Sequence, residues 1–460
     1  MRNLKKAIGV LLMGAGLSYL PVAHAEIMTY EGTGEYIMSD FETPDVAKQR
    51  AKVRAEQHAV EQAGVYVKSY TKTVNHMVEA DEVTTIANTI IKIIDEKYII
   101  TPTNEDGGGF RVKSIIKANV DSEKIDKWLN YEQEKNYQLI EQNKQLREEL
   151  RNQDREIQRI KKEISLIPSK KEKRELEKKI IDGEGRFISN QKLEEGIRLY
   201  YEGNIEKAVE SIGQSLKFNE YNDIAYYNLG VIYQEKNNYV MAVSNYNMAI
   251  KINRRYAKAY NNRGNIYLSQ KQYKLAIADF DKAIKIEDED FIAYYNRGNA
   301  YLYQGDYKRS IDDYNKSIII NPNFVEAYIG RGYVYDKLGN KDKSINEYTK
   351  AIRLNPQSIE AYYNRGTVYY NNGNYQKAIE DYSTILAINT EDFDAYYARG
   401  NAYGKIGKYR LAVDDFSKAI EINPKAGRAY LKRGYTNKII GNKIQADIDF
   451  GIARELGVYK

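Results

Sequence analysis

Residues 291–324 read FIAYYNRGNAYLYQGDYKRSIDDYNKSIIINPNF, and this stretch recurs with small changes along the C-terminal part of the chain. Its Gly298 belongs to a row of glycines at 196, 230, 264, 298, 332, 366, 400 and 434, each 34 residues after the last. Seven of them close the strings AYYNLG, AYNNRG, AYYNRG, AYIGRG, AYYNRG, AYYARG and AYLKRG. Three residues beyond the glycine stands Tyr at 233, 267, 301, 335, 369 and 403. Twelve beyond stands Ala or Ser at 208, 242, 276, 310, 344, 378, 412 and 446. Sixteen beyond stands an aromatic: Tyr246, Phe280, Tyr314, Tyr348, Tyr382, Phe416 and Phe450. A strict period of this length marks a small helical unit that cannot bury its apolar face alone, so the units must stack into a continuous core.

This spacing resembles the tetratricopeptide repeat (TPR). The resemblance implies a mainly α fold, a solenoid of antiparallel helix pairs, with eight repeats at 189–222, 223–256, 257–290, 291–324, 325–358, 359–392, 393–426 and 427–460. Glycine on the first helix and Ala or Ser on the second are expected where the two helices approach most closely. Tyr and Phe are expected to fill the wedge between neighbouring units. These aromatic columns account for much of the total of 43 tyrosines against one tryptophan. The first unit departs from the pattern, with Lys192 and Leu199 at aromatic positions, as a cap would. A second row places Arg263, Arg297, Arg331, Arg365, Arg399 and Arg433 sixteen residues before Asp279, Asp313, Glu347, Asp381, Asp415 and Asp449, which predicts a repeated, structural salt bridge.

In TPR proteins the first helix of each unit lines the concave surface. Positions two before and one after the glycine resemble those from which the family contacts ligands. Here they give Asn228, Asn262, Asn296 and Asn364, then Asn265, Asn299 and Asn401. Asn is a poor helix former, so its recurrence there asks for a reason. It offers a donor and an acceptor, and a ladder of such groups suits the backbone of an extended peptide. Flanking Tyr227, Tyr295, Tyr363 and Tyr397 add apolar or sugar-stacking faces. The expected partner is a protein or peptide. The alternatives are a cell-wall glycan held in the same Tyr/Asn groove, or the role of accessory subunit to an envelope enzyme.

Upstream, residues 128–181 read as a charged helix with a coiled-coil seam. Leu139, Asn143, Leu146, Leu150, Gln153, Ile157, Ile160, Ile164 and Ile167 alternate at spacings of four and three, which predicts a homo-oligomer joined through 139–167. Pro168 ends the seam, and the charged piece 170–185 leads into a glycine-containing joint. Residues 26–127 read as an α+β domain. A strand over 27–38 precedes a helix capped by Thr43-Pro44-Asp45, with alanines at 47, 51, 55, 59 and 63 and an end at Gly64. Strands are expected over 65–74, 89–100 and 110–120, with Gly107-Gly108-Gly109 as a turn and Phe110, Val112, Ile116, Ala118 and Val120 on one face. This segment resembles the N-terminal domain of flagellar assembly protein T and small outer-membrane lipoproteins, which implies an envelope-facing, non-catalytic module. The cysteine that anchors the lipoproteins has no counterpart here.

Residues 1–25 carry a basic start, a short apolar run and small residues at Ala23 and Ala25, the pattern of a signal peptide removed before Glu26. Export to the periplasm is expected, or secretion or outer-membrane association, with no integral span in the mature chain. The chain has 460 residues, 70 Lys+Arg against 64 Asp+Glu, no Cys and 3 His. So mixed a charge implies no nucleic-acid partner. Without cysteine there is no thiolate metal site and no cysteine nucleophile, and His58 and His76 lack further ligands around them. The sequence therefore reads as an exported, non-enzymatic scaffold for protein–protein interaction in a bacterial envelope, with no metal and no cofactor.

Overall fold

The computed structural model describes residues 27–38, 42–73, 91–103, 110–122, 155–164 and 170–458, with isolated positions at 83, 86, 87, 90, 124, 125, 148, 152, 153 and 166. The signal segment, the turn at 104–109, His76 and the seam positions from Leu139 to Leu150 lie outside the described residues. The chain forms two compact units, 1–221 and 222–460.

In the first unit, β1 (Ile27–Met38), β2 (Lys92–Pro102) and β3 (Phe110–Asp121) form an antiparallel sheet in the order β1-β3-β2. The β1–β3 ladder runs from Ile27 opposite Asp121 to Met38 opposite Phe110. Helix α1 (Pro44–Thr73) lies on this sheet through Ala47, Ala51, Ala55, Ala59 and Ala63, all fully buried. The approach is so close that a Cβ at Gly34 would lie 2.2 Å from the Ala51 carbonyl oxygen and 2.4 Å from the Ala55 nitrogen. Only a Gly-x-Gly strand under an alanine stripe accommodates that contact.

Four expectations are corrected here. Helix α1 does not stop at Gly64 but runs on through the stretch expected as a strand. Val60, Ala63 and Val67 recur at helical spacing and bury against Val83, Ile86, Ile90 and Val120, and this tertiary partner outweighs the alternation of VYVKSYT. Phe110, at the strand end, is exposed, while Ser114 joins Val112, Ile116, Ala118 and Val120 on the buried face. Helix α2 (Lys170–Tyr201) continues unbroken through Gly183 and Gly185, where a joint was expected. A Cβ at Gly183 would meet Ile157 at 2.9 Å. Ile160 and Ile164 cluster with Leu176 and Ile180 of α2. The described part of the seam is thus covered by the chain itself, so those isoleucines supply no exposed surface for a second copy. Helix α3 (Ile205–Phe218) packs on the end of α2, with Gly196 against Ile212, and completes the first helix pair.

The second unit has seven helix pairs. The first helices are Asp223–Glu235, Ala257–Ser269, Phe291–Gln304, Val325–Lys337, Ile359–Asn371, Phe393–Lys405 and Gly427–Ile439. The second helices are Tyr239–Ile252, Tyr273–Ile286, Tyr307–Ile320, Lys341–Leu354, Tyr375–Ile388, Tyr409–Ile422 and Lys443–Glu455. The repeated glycine faces the ring sixteen residues on rather than the alanine: a Cβ at Gly298 would lie 2.9 Å from Tyr314, and Gly230 and Gly400 stand likewise over Tyr246 and Phe416. The far end of the ring reaches the next unit, where a Cβ at Gly330 would lie 2.8 Å from Tyr314 Cζ. One aromatic therefore fills its own pair and the wedge beyond it.

The Arg row pairs within units and also ties units together. Arg297 grips Asp313 with two hydrogen bonds, of 2.8 and 2.7 Å, and its third nitrogen donates to Asp281 on the preceding pair at 2.6 Å. The same third contact goes from Arg365 to Thr349, from Arg399 to Ser383 and from Arg433 to Ser417. Burial opposes the Arg263 charge, but its hydrogen bonds to Asp279 outweigh that and raise its pKa. Between the helices of each pair one residue turns left-handed: Gly203, Asn237, Lys271, Gly305, Gly339, Gly373, Gly407 and Gly441, again 34 apart.

Candidate functional site

Successive first helices touch one another along most of the second unit, which places them on the inner side of its curve. Their outward side chains form a continuous face. N-caps fix the start of several of them: Asn222, Asp290, Ser358 and Asp392 each accept a backbone N–H of the first turn.

The asparagines two before the glycine are mostly used in packing. Asn228 is buried and donates to the Ile224 carbonyl at 2.8 Å. Asn262 donates to the Tyr227 hydroxyl at 3.1 Å, and buried Asn296 donates to Asn261 at 3.1 Å, each bond joining neighbouring units. Those one after the glycine keep more capacity. Asn299 accepts from the Tyr314 hydroxyl at 2.6 Å and its amide also bonds the Tyr295 hydroxyl, which leaves one amide N–H donor. Asn401 donates to Tyr397 O at 2.8 Å and retains its acceptor. Asn265 and Asn364 are half-buried with whole amides available.

The flanking tyrosines are walls rather than free platforms. Tyr227 is fully buried, stacked 5.0 Å from Tyr256, and burial pushes its pKa up to about 12. Tyr295 lies against Tyr314 and Phe324, Tyr363 against Tyr382, and Tyr397 against Phe393 and Phe416, at ring separations of 5.1 to 6.1 Å.

A row of acids was not singled out from the sequence. Glu326, Glu360 and Asp394 stand 34 apart in the first turns of three successive first helices, each followed by Ala-Tyr. All three reach solvent, and none takes part in an ion pair among the described residues. Enclosure in the groove, and then the charge of Glu326, hold the Glu360 carboxyl above its ordinary range. The recurrence that marks the glycines carried this signal too.

The first unit holds a separate cavity of about 450 Å³, lined by Val53, Val60 and Ile116 on one side and Ile188, Glu194 and Arg198 on the other. Glu56 faces it. Burial, then the Glu194 charge, push its pKa up to about 7, while Lys52 and Arg198 pull the other way. No motif announces this cavity, because its two walls come from segments at least 72 residues apart, the separation of Ile116 and Ile188. His58 lies on the exposed side of α1, where Nδ1 accepts the Thr33 N–H at 3.2 Å.

The tetratricopeptide repeat family matches residues 224–256, 257–290, 291–324, 359–392 and 393–426, and a second TPR repeat description matches 337–373. No curated protein matches the chain. Among solved structures it is similar to MamA, at 31% identity over 35% of this chain and 94% of that one, with a TM-score of 0.34. It is also similar to YrrB, described as a TPR protein with an unusual peptide-binding site, at 26% identity over 40% and 95%, with a TM-score of 0.34. A third is PilF of Pseudomonas aeruginosa, at 16% identity over 47% and 96%, with a TM-score of 0.41. The expected likeness of 26–127 to flagellar assembly protein T finds no support, since the family matches fall on the repeats alone. Among the described residues no helix is long and apolar enough to cross a membrane.

Proposed function

We propose that this chain, in which a small α+β segment precedes an array of tetratricopeptide repeats in sequence, is a non-enzymatic scaffold that holds an extended segment of a partner protein along its inner face. The observation that carries the reading is the set Asn265, Asn299, Asn364 and Asn401, whose amide groups keep open capacity on the first helices. Such groups bond a peptide backbone without demanding its sequence. The unpaired row of Glu326, Glu360 and Asp394 favours Lys or Arg side chains on that segment. A glycan in the groove is the weaker reading, because Tyr227 is buried and Tyr295, Tyr363 and Tyr397 are half-buried and packed against neighbouring rings. Export is part of the proposal, supported by the 1–25 pattern, and a mature N-terminus at Glu26 is its direct check.

The test is a peptide array probed with the full chain. Bound peptides should be extended and enriched in Lys and Arg. The triple variant Asn265→Ala, Asn299→Ala, Asn364→Ala should bind them about ten-fold or more weakly at unchanged helicity, about 1 kcal/mol for each lost hydrogen bond. Equal binding by the triple variant sinks the inner-face assignment.

A further inference from the structure

The outer edge of the array, where the turns joining the two helices of each pair emerge, changes character at its C-terminal end. The last two of these turns read KIGKYRL (405–411) and KIIGNKI (438–444). Together they carry five cations, Lys405, Lys408, Arg410, Lys438 and Lys443, and no acid. Of the five earlier turns in the second unit, three carry carboxylates, at Glu235, Asp306 and Asp342, with Asp306 tied to Arg309, and the two without an acid, 269–275 and 371–377, carry only two cations and one. The same two turns expose aliphatic side chains: Ile439 is 61% exposed, Ile444 78%, and Leu411 and Ile440 more than 40%. One helical turn beyond Ile444, Ile448 is exposed as well. The units before the last place Lys405, Arg410 and Asp414 where the last unit has Ile439, Ile444 and Ile448. The two turns are neighbours in space, since Lys408, Arg410, Leu411 and Ile440 line one shallow hollow.

We propose that this edge docks on the surface of an anionic lipid bilayer, with the isoleucines entering the headgroup boundary and the five cations facing lipid phosphates. The charge pattern selects this occupant. Clustered Lys and Arg with no interspersed acid match a uniformly negative plane and gain from it additively. Protruding aliphatics between those cations are what an interfacial contact needs, whereas a protein partner is normally anchored by large side chains in deep, desolvated pockets. The hollow between the turns is shallow and the aliphatics stand out from it, the reverse of an anchor pocket. Docking here leaves the inner face of the first helices open, so the array would present its peptide groove while held at a membrane.

Sedimentation of the full chain with vesicles tests this. The chain should pellet with phosphatidylglycerol–phosphatidylethanolamine vesicles, not with phosphatidylcholine vesicles, and should be released by salt. The pair Ile439→Ser, Ile444→Ser should weaken vesicle binding by about ten-fold, and Lys408→Glu with Lys443→Glu by at least as much. All four sites are exposed, so circular dichroism should stay unchanged, and so should binding of Lys/Arg peptides on the inner face. Failure of the wild type to pellet with anionic vesicles overturns the proposal. So does pelleting that is indifferent to both pairs of substitutions. Loss of a protein from an envelope pull-down by these variants, with vesicle binding intact, overturns it in favour of a protein partner.

Discussion

In the first unit the closest approach of two elements is made once, by Gly32 and Gly34 lying under the backbone of α1 at Ala51 and Ala55. In the second it is made seven times, by a glycine lying under an aromatic ring of the paired helix. The two arrangements respond differently to the same insult. A ring tilts by a few tenths of an ångström about its own torsions, whereas a helix backbone moves only as a body. The glycine contacts themselves are of similar span, Gly34 to Ala51 over 17 residues and each repeat glycine to its ring over 16, but β1 is also paired with β3 some eighty residues away. Loss of a non-local contact undoes a whole cooperative unit, and loss of a local one is confined to a helix pair and its neighbours.

Gly34→Val gives the largest expected effect. Its Cβ would sit 2.2 Å from a carbonyl oxygen, so α1 must lift from the sheet and uncover the alanine stripe. Overpacking of this kind costs about 3 kcal/mol or more, a large share of a small domain's stability. Gly298→Ala, facing a ring at 2.9 Å, should cost about 1 kcal/mol and stay local. Hydrogen exchange resolved by peptide separates these outcomes: deprotection across 27–121 in the first variant, and only around 291–324 in the second. Equal, local effects would erase the distinction between the units.

How much was legible follows from the same contrast. Recurrence made the helix pairs readable, because a residue needed for a contact appears at each repeat of that contact. Gly298 and Tyr314 were visible for that reason, and so was the Arg297–Asp313 rung. Contacts made once leave no such trace. The second half of α1 looked like a strand because the burial of Val67 depends on Val83 and Val120, far along the chain. Ile160 and Ile164 looked like an oligomer seam because Leu176 and Ile180 are drawn across them only by the fold. At the inner face, position was legible but bonding was not. Asn262 and Asn265 look alike in sequence, and only the structure shows the first bonded to Tyr227 of the preceding unit.

The second effect sharpens the comparison through pH. Glu56 has a pKa of about 7 in the folded first unit, against an ordinary 4.5 when unfolded. The folded form holds a proton that the unfolded form releases. Its favourable contribution is therefore complete below pH 4.5 and is lost as pH rises through 7, with a total on the order of 3 kcal/mol. The first unit should unfold at lower denaturant at pH 8 than at pH 5, and Glu56→Gln should flatten that difference. Because 222–460 carries raised carboxyls of its own, such as Glu360, the control is the wild type against the Gln variant at each pH. An unchanged pH dependence in the Gln variant would remove Glu56 as its source.

The smallest effect probes recurrence itself. The turn inside each helix pair is left-handed at one position, and six of the eight units place glycine there. Lys271 holds the same conformation at φ 61 and Asn237 at φ 56. A side chain with a Cβ is strained in this region by about 1 kcal/mol, while Asn tolerates it through local hydrogen bonding. Glycine removes that strain but loses more backbone entropy on folding, which returns part of the gain. Lys271→Gly should therefore stabilise its pair by about 0.5 kcal/mol, and Asn237→Gly by less. The difference between the two is the informative quantity, because entropy is lost equally in both and only the steric strain differs. It should appear as slower exchange in 257–290 for the Lys271 variant, with the first unit unmoved. Equal gains at the two sites would mean that the side chain is not what strains this turn, and that glycine recurs there for a reason other than its backbone freedom.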